Sequence, residues 1–216
     1  MAHTPVQRGF WFHVLDVVFN IVVIVAIVAG IRTFLVSPFQ VEGHSMDSTL
    51  ADREYIVINK LAYILGDPER GDIVVFRPPN EPKKFYVKRV IGIPGDTVEI
   101  RNGNVYVRTT IDGEVQELDE PYLDEVNQGS TFKHPPNSGD RSPVSYTVPE
   151  GSFFLLGDNR RNSHDSRSFK IGAEDFPYVP DESIKGRVWF VALPITKIHA
   201  FSQPEYDLED ASNEPN

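Results

Sequence analysis

Two side chains in the first half of the chain are suited to nucleophilic catalysis. Ser45 lies in the stretch Gly43-His44-Ser45-Met46, and Lys88 lies in the strand-like run of residues 86–91. A free serine hydroxyl is a poor nucleophile, so it needs a base to take its proton. A lysine amine can do this near neutral pH only if burial lowers its pKa by about 3 units, which corresponds to roughly 4 kcal/mol of desolvation. The two residues are therefore candidates for a nucleophile and its general base.

The position of each residue leaves alternatives open. Strand alternation places Lys88 on one face and the neighbouring Arg89 on the other, so one of the two points inward and the spacing does not say which. Histidine is the more usual helper of a serine. His44 adjoins Ser45 but would face the opposite side of an extended chain. His164 lies in a polar loop, where a solvated surface role is the more common one.

A third polar stretch follows the apolar run of residues 153–156. Residues 157–167 read Gly-Asp-Asn-Arg-Arg-Asn-Ser-His-Asp-Ser-Arg. A loop so rich in charge is usually a solvated turn, but directly after a buried strand it can also bring several polar groups into one site. A different motif, Arg70-Gly71-Asp72, matches an adhesion sequence. A three-residue match is common by chance, and here it forms the turn into a predicted strand.

The elements that must position these residues begin with a long apolar segment. Residues 17–36 are apolar with three interruptions, and about 20 such residues span the ~30 Å of bilayer hydrocarbon. We expect a transmembrane anchor here, after a lead of residues 1–16. A signal peptide cleaved near Gly30 and a buried helix of a soluble domain are the alternatives. Arg8 and Arg32 lie on opposite sides of the segment, so the positive-inside rule gives no orientation.

After this segment the sequence consists of short runs of β-branched and aromatic residues separated by Gly, Pro, Asn and Asp. This pattern predicts a mainly antiparallel β domain over residues 37–202. The predicted strands are residues 39–41, 55–58, 72–76, 85–91, 97–100, 105–107, 152–156 and 186–191. Asn102-Gly103 is a strong signal for a hairpin turn. Because residues 109–150 are polar and rich in proline, we expect an insertion at about 102–150, either a lobe or long surface loops.

Composition excludes several classes of function. A net charge of −10 and a pI near 5.0 argue against nucleic acid as the main partner, because phosphate binding needs clustered Lys and Arg. Acidic residues and prolines crowd residues 203–216 and predict a disordered acidic tail. The absence of cysteine excludes disulfides, thiol catalysis and thiolate metal sites. Neither a metal-ligand set nor a phosphate-binding glycine loop is evident, so we expect no metal and no cofactor.

Four stretches of the chain together resemble the boxes of bacterial type I signal peptidases (leader peptidases). The order of the four boxes makes the resemblance specific, and it extends from the apolar segment to about residue 170. The matching stretches are Gly43-His44-Ser45-Met46 with Thr49-Leu50, Arg70-Gly71-Asp72-Ile73-Val74-Val75-Phe76, Lys88-Arg89-Val90-Ile91-Gly92-Ile93-Pro94-Gly95-Asp96, and Gly157-Asp158-Asn159-Arg160 with Ser163 and Asp165-Ser166-Arg167.

The resemblance implies a Ser-Lys serine endopeptidase with a β fold. The matching positions make Ser45 the nucleophile, with its backbone N–H as an oxyanion donor, and Lys88 the general base. Ser163 would be the hydroxyl that holds the lysine amine. The polar groups that shape the site would be Asp158, Asp165 and Arg167, with Arg89 as an ion partner.

Two positions depart from the family pattern. Ser48 stands where the family usually has proline in its Ser-Met-x-Pro-Thr-Leu box, so we expect a looser turn after the nucleophile. Gly43 stands where some members have a serine that adds a second oxyanion donor. That donor must come from elsewhere in this chain or be absent.

The implied reaction is hydrolysis of one peptide bond in a translocated preprotein, after small residues at the first and third positions before the cut. The implied partners are preproteins with signal peptides and a lipid membrane, with the catalytic domain outside the cytoplasm on a single-pass anchor. Other functions remain open. Self-cleaving repressors share the Ser-Lys pair but carry a DNA-binding domain instead of an anchor. A catalytically inactive relative acting as an assembly factor should have lost Ser45 or Lys88, and a plain membrane-tethered binding module leaves the four boxes unexplained.

Overall fold

The apolar N-terminal segment forms one continuous helix, α1, from Phe10 to Phe34. The structure is a computed structural model, and it describes residues 9–111, 113–133, 141–206 and 208. At 1.5 Å per residue, its 25 residues extend over about 37 Å, more than the hydrocarbon of a bilayer. The part from Phe10 to Gly30 has a mean hydropathy of 2.5, and none of it is buried against the rest of the protein. A helix this apolar and uncovered suits a lipid environment.

The bounds of this helix differ from the expected anchor over residues 17–36. The helix begins seven residues earlier, because the aromatic residues from Phe10 to Phe12 continue its apolar surface. It ends at Phe34, and strand β1 already begins at Val36. Only Leu35 separates the helix from the sheet, so the β domain must lie directly at the membrane surface if α1 spans the bilayer.

The rest of the described chain is built from short strands, and all of their pairings are antiparallel. The mainly antiparallel β prediction is therefore confirmed. The strands are β1 Val36–Gln40, β2 Tyr55–Asn59, β3 Ile73–Phe76, β4 Tyr86–Gly92, β5 Thr97–Arg101, β6 Asn104–Arg108, β7 Gln116–Glu117, β8 Val144–Thr147, β9 Ser152–Leu156, β10 Lys170–Ile171, β11 Glu174–Asp175, β12 Val179–Pro180, β13 Ile184–Leu193 and β14 His199–Ala200. A short helix α2 covers Ala62–Leu65, and two 3-10 turns cover Asp181–Ser183 and Ile195–Lys197.

The strands form two sheets and a small hairpin. The larger sheet has the order β1-β2-β13-β3-β4-β9-β12, with β14 added to β13. The smaller sheet has the order β7-β6-β5-β8, and β10 pairs with β11. All eight predicted runs contain a strand. The six further strands are short pairings in stretches that the sequence marks as turns or polar loops, where strand propensity is weak.

The smaller sheet occupies most of the region expected as an insertion at about 102–150. It starts earlier, because β5 at Thr97 pairs with β8 at Thr147 and so belongs to this sheet. Asn102 and Gly103 form the two-residue turn between β5 and β6, with φ of 53° and 88°. Positive φ at both positions is what a tight hairpin turn requires. Residues 112 and 134–140 lie outside the described part of the chain.

Burial on both faces of the central strands decides where charged side chains can lie. β3 sends Ile73 and Val75 into one apolar cluster and Val74 and Phe76 into another. β4 lies between β3 and β9, whose residues are all buried. Any polar side chain on the inner part of β4 is therefore removed from water.

The first part of the expected acidic tail packs against the domain. Gln203 Nε2 donates hydrogen bonds to Glu69 and Asp72, at 2.8 and 2.9 Å. Tyr206 and Leu208 are partly buried against the apolar cluster of the smaller sheet. Within the expected tail, residues 203–206 and 208 lie against the domain, because apolar and amide side chains among them find partners. Residues 207 and 209–216 lie outside the described residues.

Candidate active site

Ser45 lies in a tight turn between β1 and β2 that is anchored by apolar side chains. Met46 and Leu50 are each 1% exposed and reach into the core below the turn. The backbone N–H groups of Thr49 and Leu50 both donate to the carbonyl of Met46. Ser45 itself is half-buried. The turn thus holds the Ser45 hydroxyl at the edge of the sheet, with an apolar support beneath it.

Lys88 lies on β4 and points at that hydroxyl. Its Nζ is 2.6 Å from Ser45 Oγ and 2.8 Å from the carbonyl oxygen of Val87. The side chain is 2% exposed. Burial lowers the pKa of Lys88 to about 8, although the carboxylates of Asp165 and Asp158 act in the opposite direction. The amine therefore has the position and the basicity of a general base for Ser45.

Sequence reasoning was wrong about the two neighbouring basic residues in one respect. It expected one of Lys88 and Arg89 to point inward and the other to face solvent. Both are buried, at 2% and 3% exposure. The reason is the central place of β4, because a strand covered on both faces has no solvent side for either residue.

Asp158 neutralises Arg89 at the start of the polar loop after β9. Arg89 Nε and one terminal nitrogen donate to the two carboxylate oxygens, at 3.0 and 2.6 Å. The other terminal nitrogen donates to the carbonyl of Gly71 at 2.9 Å. The hydroxyl of Thr49 also donates to Asp158. This fully buried carboxylate therefore ties β4 to the turn that carries Ser45.

The same loop holds the Ser45 turn through its backbone. The N–H of Asn159 donates to the carbonyl of Ser45 at 3.1 Å, and its side-chain amide donates to the carbonyl of His44 at 2.8 Å. A methyl group at Gly157 would lie only 2.4 Å from the carbonyl oxygen of Ser45 and 2.2 Å from Ser163 Oγ. Glycine at position 157 therefore permits the close approach of the loop to the turn.

Asp165 and Arg167 form a second buried ion pair behind the lysine. Arg167 donates to both carboxylate oxygens, at 2.8 and 2.7 Å, and Asp165 also accepts from the N–H of Gly157. Burial opposes ionisation of Asp165, but the Arg167 guanidinium outweighs it and holds the pKa of that carboxyl below its usual range. Arg167 further donates to the carbonyl oxygens of Phe132 and Arg160. The pair fixes the shape of the loop.

Ser163 is close to these groups but makes no contact with the lysine amine at hydrogen-bond distance in this structure. Its hydroxyl is buried and, within the described part of the chain, has no hydrogen-bond partner of good geometry. Lys88 donates to Ser45 and Val87, which uses two of its three N–H groups. The hydroxyl lies close enough to Asp165 to help lower the pKa of that carboxyl, and its oxygen remains an available acceptor near the site.

His44 and His164 make no hydrogen bond to Ser45 or Lys88, and the aspartate of the Arg-Gly-Asp motif is buried. His164 contacts Asn80 and the Ser168 hydroxyl, each at 2.9 Å, and His44 pairs with Asp47. Asp72 is 2% exposed and accepts from Tyr63 and Arg187. A buried aspartate cannot serve as an adhesion ligand. Over residues 9–111, 113–133, 141–206 and 208, no three His, Asp or Glu side chains gather in a way that could hold a metal.

A groove of about 680 Å³ opens beside the Ser45 and Lys88 side chains. It contains both apolar and polar groups. Its lining includes Phe39, Val41, Ile56, Val75, Phe85, Tyr86, Val87, Asn162 and His164.

Comparison with known proteins decides the family of the chain. Residues 14–193 match the family described as signal peptidase, peptidase S26. The chain belongs to the signal peptidase S26 family. It is 37% identical over 191 residues to signal peptidase I of Pseudomonas aeruginosa, covering 76% of this chain and 67% of that protein. It is 36% identical to signal peptidase I P of Bacillus subtilis subsp. natto (80% and 93% covered) and to signal peptidase IB of Staphylococcus aureus strain COL (89% and 96% covered).

Among solved structures, a crystal structure of a signal peptidase I from Enterococcus faecalis V583 is similar to this S26 family member. The sequences are 31% identical, and the match covers 56% of this chain and 97% of that chain, with a TM-score of 0.41.

Arg160 is a site residue to which sequence reasoning gave no role. It is fully buried, donates to the carbonyl of Gly157 at 3.0 Å, and reaches Glu120 and the Thr131 hydroxyl in the region inserted before β9. An arginine two residues after Asp158 in this S26 chain could have indicated a further buried ion pair, which the structure forms with Glu120. Its partner lies forty residues away in a polar stretch, so the sequence alone could not name it.

Two backbone N–H groups of the Ser45 turn differ in whether they already have a partner. The N–H of Ser45 makes no hydrogen bond to another described residue, so it is free to bind a developing oxyanion. The N–H of Gly43 donates to Asp52 at 2.8 Å and is therefore engaged. Gly43 offers neither a side chain nor a free N–H for a second donor.

Ser48, which replaces the usual family proline, has φ of 82°. Proline is locked near −65° and cannot adopt this conformation. Ser48→Pro should therefore disrupt the turn, lowering thermal stability and reducing cleavage rate by at least about 10-fold. Ser48→Gly should keep the wild-type rate and gain about 1 kcal/mol, since glycine tolerates positive φ. Thermal melts and cleavage rates measure both. A proline variant as stable and active as wild type would contradict a left-handed Ser48.

Proposed function

We propose that this chain is a membrane-anchored serine endopeptidase that removes signal peptides from exported preproteins, with Ser45 as nucleophile and Lys88 as general base. The observation that carries the proposal is the 2.6 Å contact between Lys88 Nζ and Ser45 Oγ, in a member of the signal peptidase family. An inactive assembly factor is not favoured, because both groups are present and in contact.

The first half of the reaction uses the neutral amine of Lys88. It takes the proton of Ser45 Oγ as the oxygen attacks the carbonyl carbon of the scissile peptide bond. The tetrahedral intermediate carries an oxyanion that the Ser45 N–H stabilises. When the intermediate collapses, the C–N bond breaks, Lys88 returns the proton to the leaving amine, and the mature protein departs. The signal peptide remains bound to Ser45 as an ester.

The second half restores the enzyme. A water molecule gives a proton to neutral Lys88 and attacks the ester carbonyl. The second tetrahedral intermediate then collapses, the ester bond to Ser45 breaks, and the proton returns to Ser45 Oγ. The signal peptide leaves with a new carboxyl group, so one water is consumed per peptide bond.

The low pKa of Lys88 makes this cycle possible near neutral pH. With a pKa of about 8, about one amine in ten is neutral at pH 7. An exposed lysine with the ordinary pKa of 10.5 would be neutral in only about one molecule in three thousand. Burial therefore raises the active fraction by roughly 300-fold.

The remaining polar residues would act by positioning. Asp158 with Arg89 and Asp165 with Arg167 would hold the loop that fixes the Ser45 turn. Ser163 would accept one N–H of the neutral Lys88 amine, whose other N–H stays on the Val87 carbonyl. These roles require fixed geometry and no proton transfer.

The substrate would bind as an extended peptide in the groove beside Ser45. Apolar side chains such as Ile56, Val75 and Val87 line it and leave shallow room, which suits small residues at the first and third positions before the cut. Purified wild-type protein in detergent should cut a preprotein after such a small residue. A matched preprotein with a bulky residue at the first position should be processed at least about 100-fold more slowly. Mass spectrometry of the product locates the cut. Equal processing of both, or no cut in the first, would contradict the proposal.

The anchored domain would face the extracytoplasmic side of the membrane. The apolar helix and the family support anchoring, and preproteins present their signal-peptide junction on the far side after translocation. Protease should digest the β domain when it is added to cells whose outer layers are permeabilised but whose cell membrane is unbroken. Protection there, with digestion in inverted vesicles, would reverse the orientation.

A further inference from the structure

The segment after β14 crosses the back of the active site. Phe201 bonds through its N–H to the carbonyl of Trp189, which fixes where the segment leaves the sheet. Gln203 then pairs with Glu69 and Asp72. Residues 203–206 lie over the turn that precedes β3, beside Gly71. These four residues are called the C-terminal strap below.

The strap rests on Gly71. A methyl group built there would lie 2.8 Å from Pro204 Cδ and 3.1 Å from the Tyr206 ring. Gly71 also has φ of 92°, a conformation that favours glycine. The strap therefore packs closely on Gly71, and a larger residue at position 71 would clash with Pro204 and Tyr206.

The carbonyl of Gly71 continues the path to the site. It accepts a hydrogen bond from Arg89 at 2.9 Å, and Arg89 binds Asp158 with its other two nitrogens. Asp158 in turn holds Thr49, four residues after Ser45. The Tyr122 ring covers the Arg89 guanidinium at 3.7 Å. Three successive hydrogen-bonded links, Gly71 to Arg89, Arg89 to Asp158 and Asp158 to Thr49, thus connect the residue under the strap with the turn that carries Ser45.

The strap also limits water around Arg89. A cleft of about 320 Å³ has Thr49, Arg89 and Tyr122 on one side and residues 200–204 on the other. Tyr206 is partly buried, and its burial raises its pKa to about 12. Removing the strap would open Arg89 to solvent, where an ion pair is weaker and less well fixed.

We propose that the C-terminal strap positions the active site, with Tyr206 as a positioning residue that keeps the Gly71–Arg89–Asp158 chain packed and dry. This inference rests on the proposed peptidase function. It assigns a role in the cleavage rate to a segment beyond the family match, which ends at residue 193.

The test compares full-length protein with a variant that ends after Ser202 and with Tyr206→Ala, in detergent with a preprotein. Both should lower kcat on the order of 10-fold with KM changed less than about 2-fold, because a shift of the nucleophile turn affects reaction more than binding. Two matched controls should keep the wild-type kcat. Glu205→Ala changes an exposed neighbour. Tyr206→Phe keeps the ring that packs against Gly71 and removes only the hydroxyl, which lies near Tyr122 without a well-formed hydrogen bond among the described residues.

A second readout separates positioning from mere stability. A looser Arg89 neutralises Asp158 less, so that carboxylate raises the pKa of Lys88 more strongly. Asp165 acts in the same direction and Arg167 in the opposite one, and neither contacts the strap. The rise of kcat with pH should therefore move to higher pH by some tenths of a unit in the truncated protein and in Tyr206→Ala.

The outcomes are distinct. An inactive wild type would show that the proposed function is wrong, and this inference with it. An active wild type, with folded variants that keep its kcat and pH profile and lose only thermal stability, would overturn the strap alone. If the truncated protein does not fold, Tyr206→Ala against Tyr206→Phe decides by the same two readouts.

Discussion

Ser45→Ala and Lys88→Met should each lower preprotein cleavage at least about 10⁴-fold. The first removes the nucleophile, and the second removes the base, which together act as one unit. Lys88→Arg should fail to a similar extent, since a guanidinium stays protonated and cannot take the Ser45 proton. Single-turnover cleavage with purified full-length variants measures the loss. A variant with a rate near that of wild type would exclude its residue from the mechanism.

These variants should remain folded, which makes the loss interpretable. Burial lowers the pKa of Lys88 from 10.5 to about 8, so the unfolded chain binds more protons than the folded one between these two values. The charged amine therefore opposes folding by about 3 kcal/mol below pH 8, and this cost disappears as the pH rises towards 10.5. Lys88→Met replaces the amine with an apolar group of similar length and should melt at the same temperature as wild type or higher. A large fall in melting temperature would show that the amine has a structural role.

The pH dependence of the wild type gives the same mechanism an independent check. The active form of Lys88 is the neutral one, so kcat/KM should rise with pH and level off above about 8. Between pH 6 and 8 the rise should total about 50-fold, steepest at the acidic end. A steady fall over this range, with the protein still folded, would show that a neutral lysine is not the base.

The strands and the site boxes could be predicted from sequence because each depends on local pattern. Alternation of apolar residues and Gly-containing turns marks the strands, and residues 157–167 follow directly from the buried β9. The order of the strands could not be predicted in this way. β13 inserts between β2 and β3 from more than a hundred residues further along the chain, and such pairing leaves no local trace.

The missed features of the site follow from that long-range order. Arg89 is buried because Asp158, the Gly71 carbonyl and the Tyr122 ring enclose its guanidinium. Arg160 reaches Glu120, which lies forty residues earlier in the chain. The early part of the tail is held by side chains such as Tyr206, whose partners come from β4 and the inserted region. Composition marked residues 203–216 as acidic, but the apolar side chains of Tyr206 and Leu208 make the start of this segment pack.

Ser163→Ala should lower kcat on the order of 10- to 1000-fold with little change in KM. The physical reason is the direction of the Lys88 amine. Two of its N–H groups are taken by Ser45 and Val87, and the buried Ser163 hydroxyl is an unsatisfied acceptor among the described residues. Once the amine is neutral, it keeps two N–H groups and accepts the Ser45 O–H on its lone pair. With one N–H on the Val87 carbonyl, a hydrogen bond from the other to the Ser163 hydroxyl would hold that lone pair on Ser45. A base works only within hydrogen-bond reach of about 2.6–3.2 Å.

The matched substitution is Ser163→Thr, which keeps the hydroxyl and should retain more activity than alanine. Ser163→Ala should not unfold the protein, because one hydroxyl without a good partner contributes at most ~1 kcal/mol and its removal can even be neutral. Its pH profile should keep the wild-type shape at a lower plateau, since the burial that lowers the Lys88 pKa is unchanged. If Ser163→Ala cleaves at the full rate with a normal melting temperature, the hydroxyl is dispensable, and Ser45 and Val87 alone orient the amine.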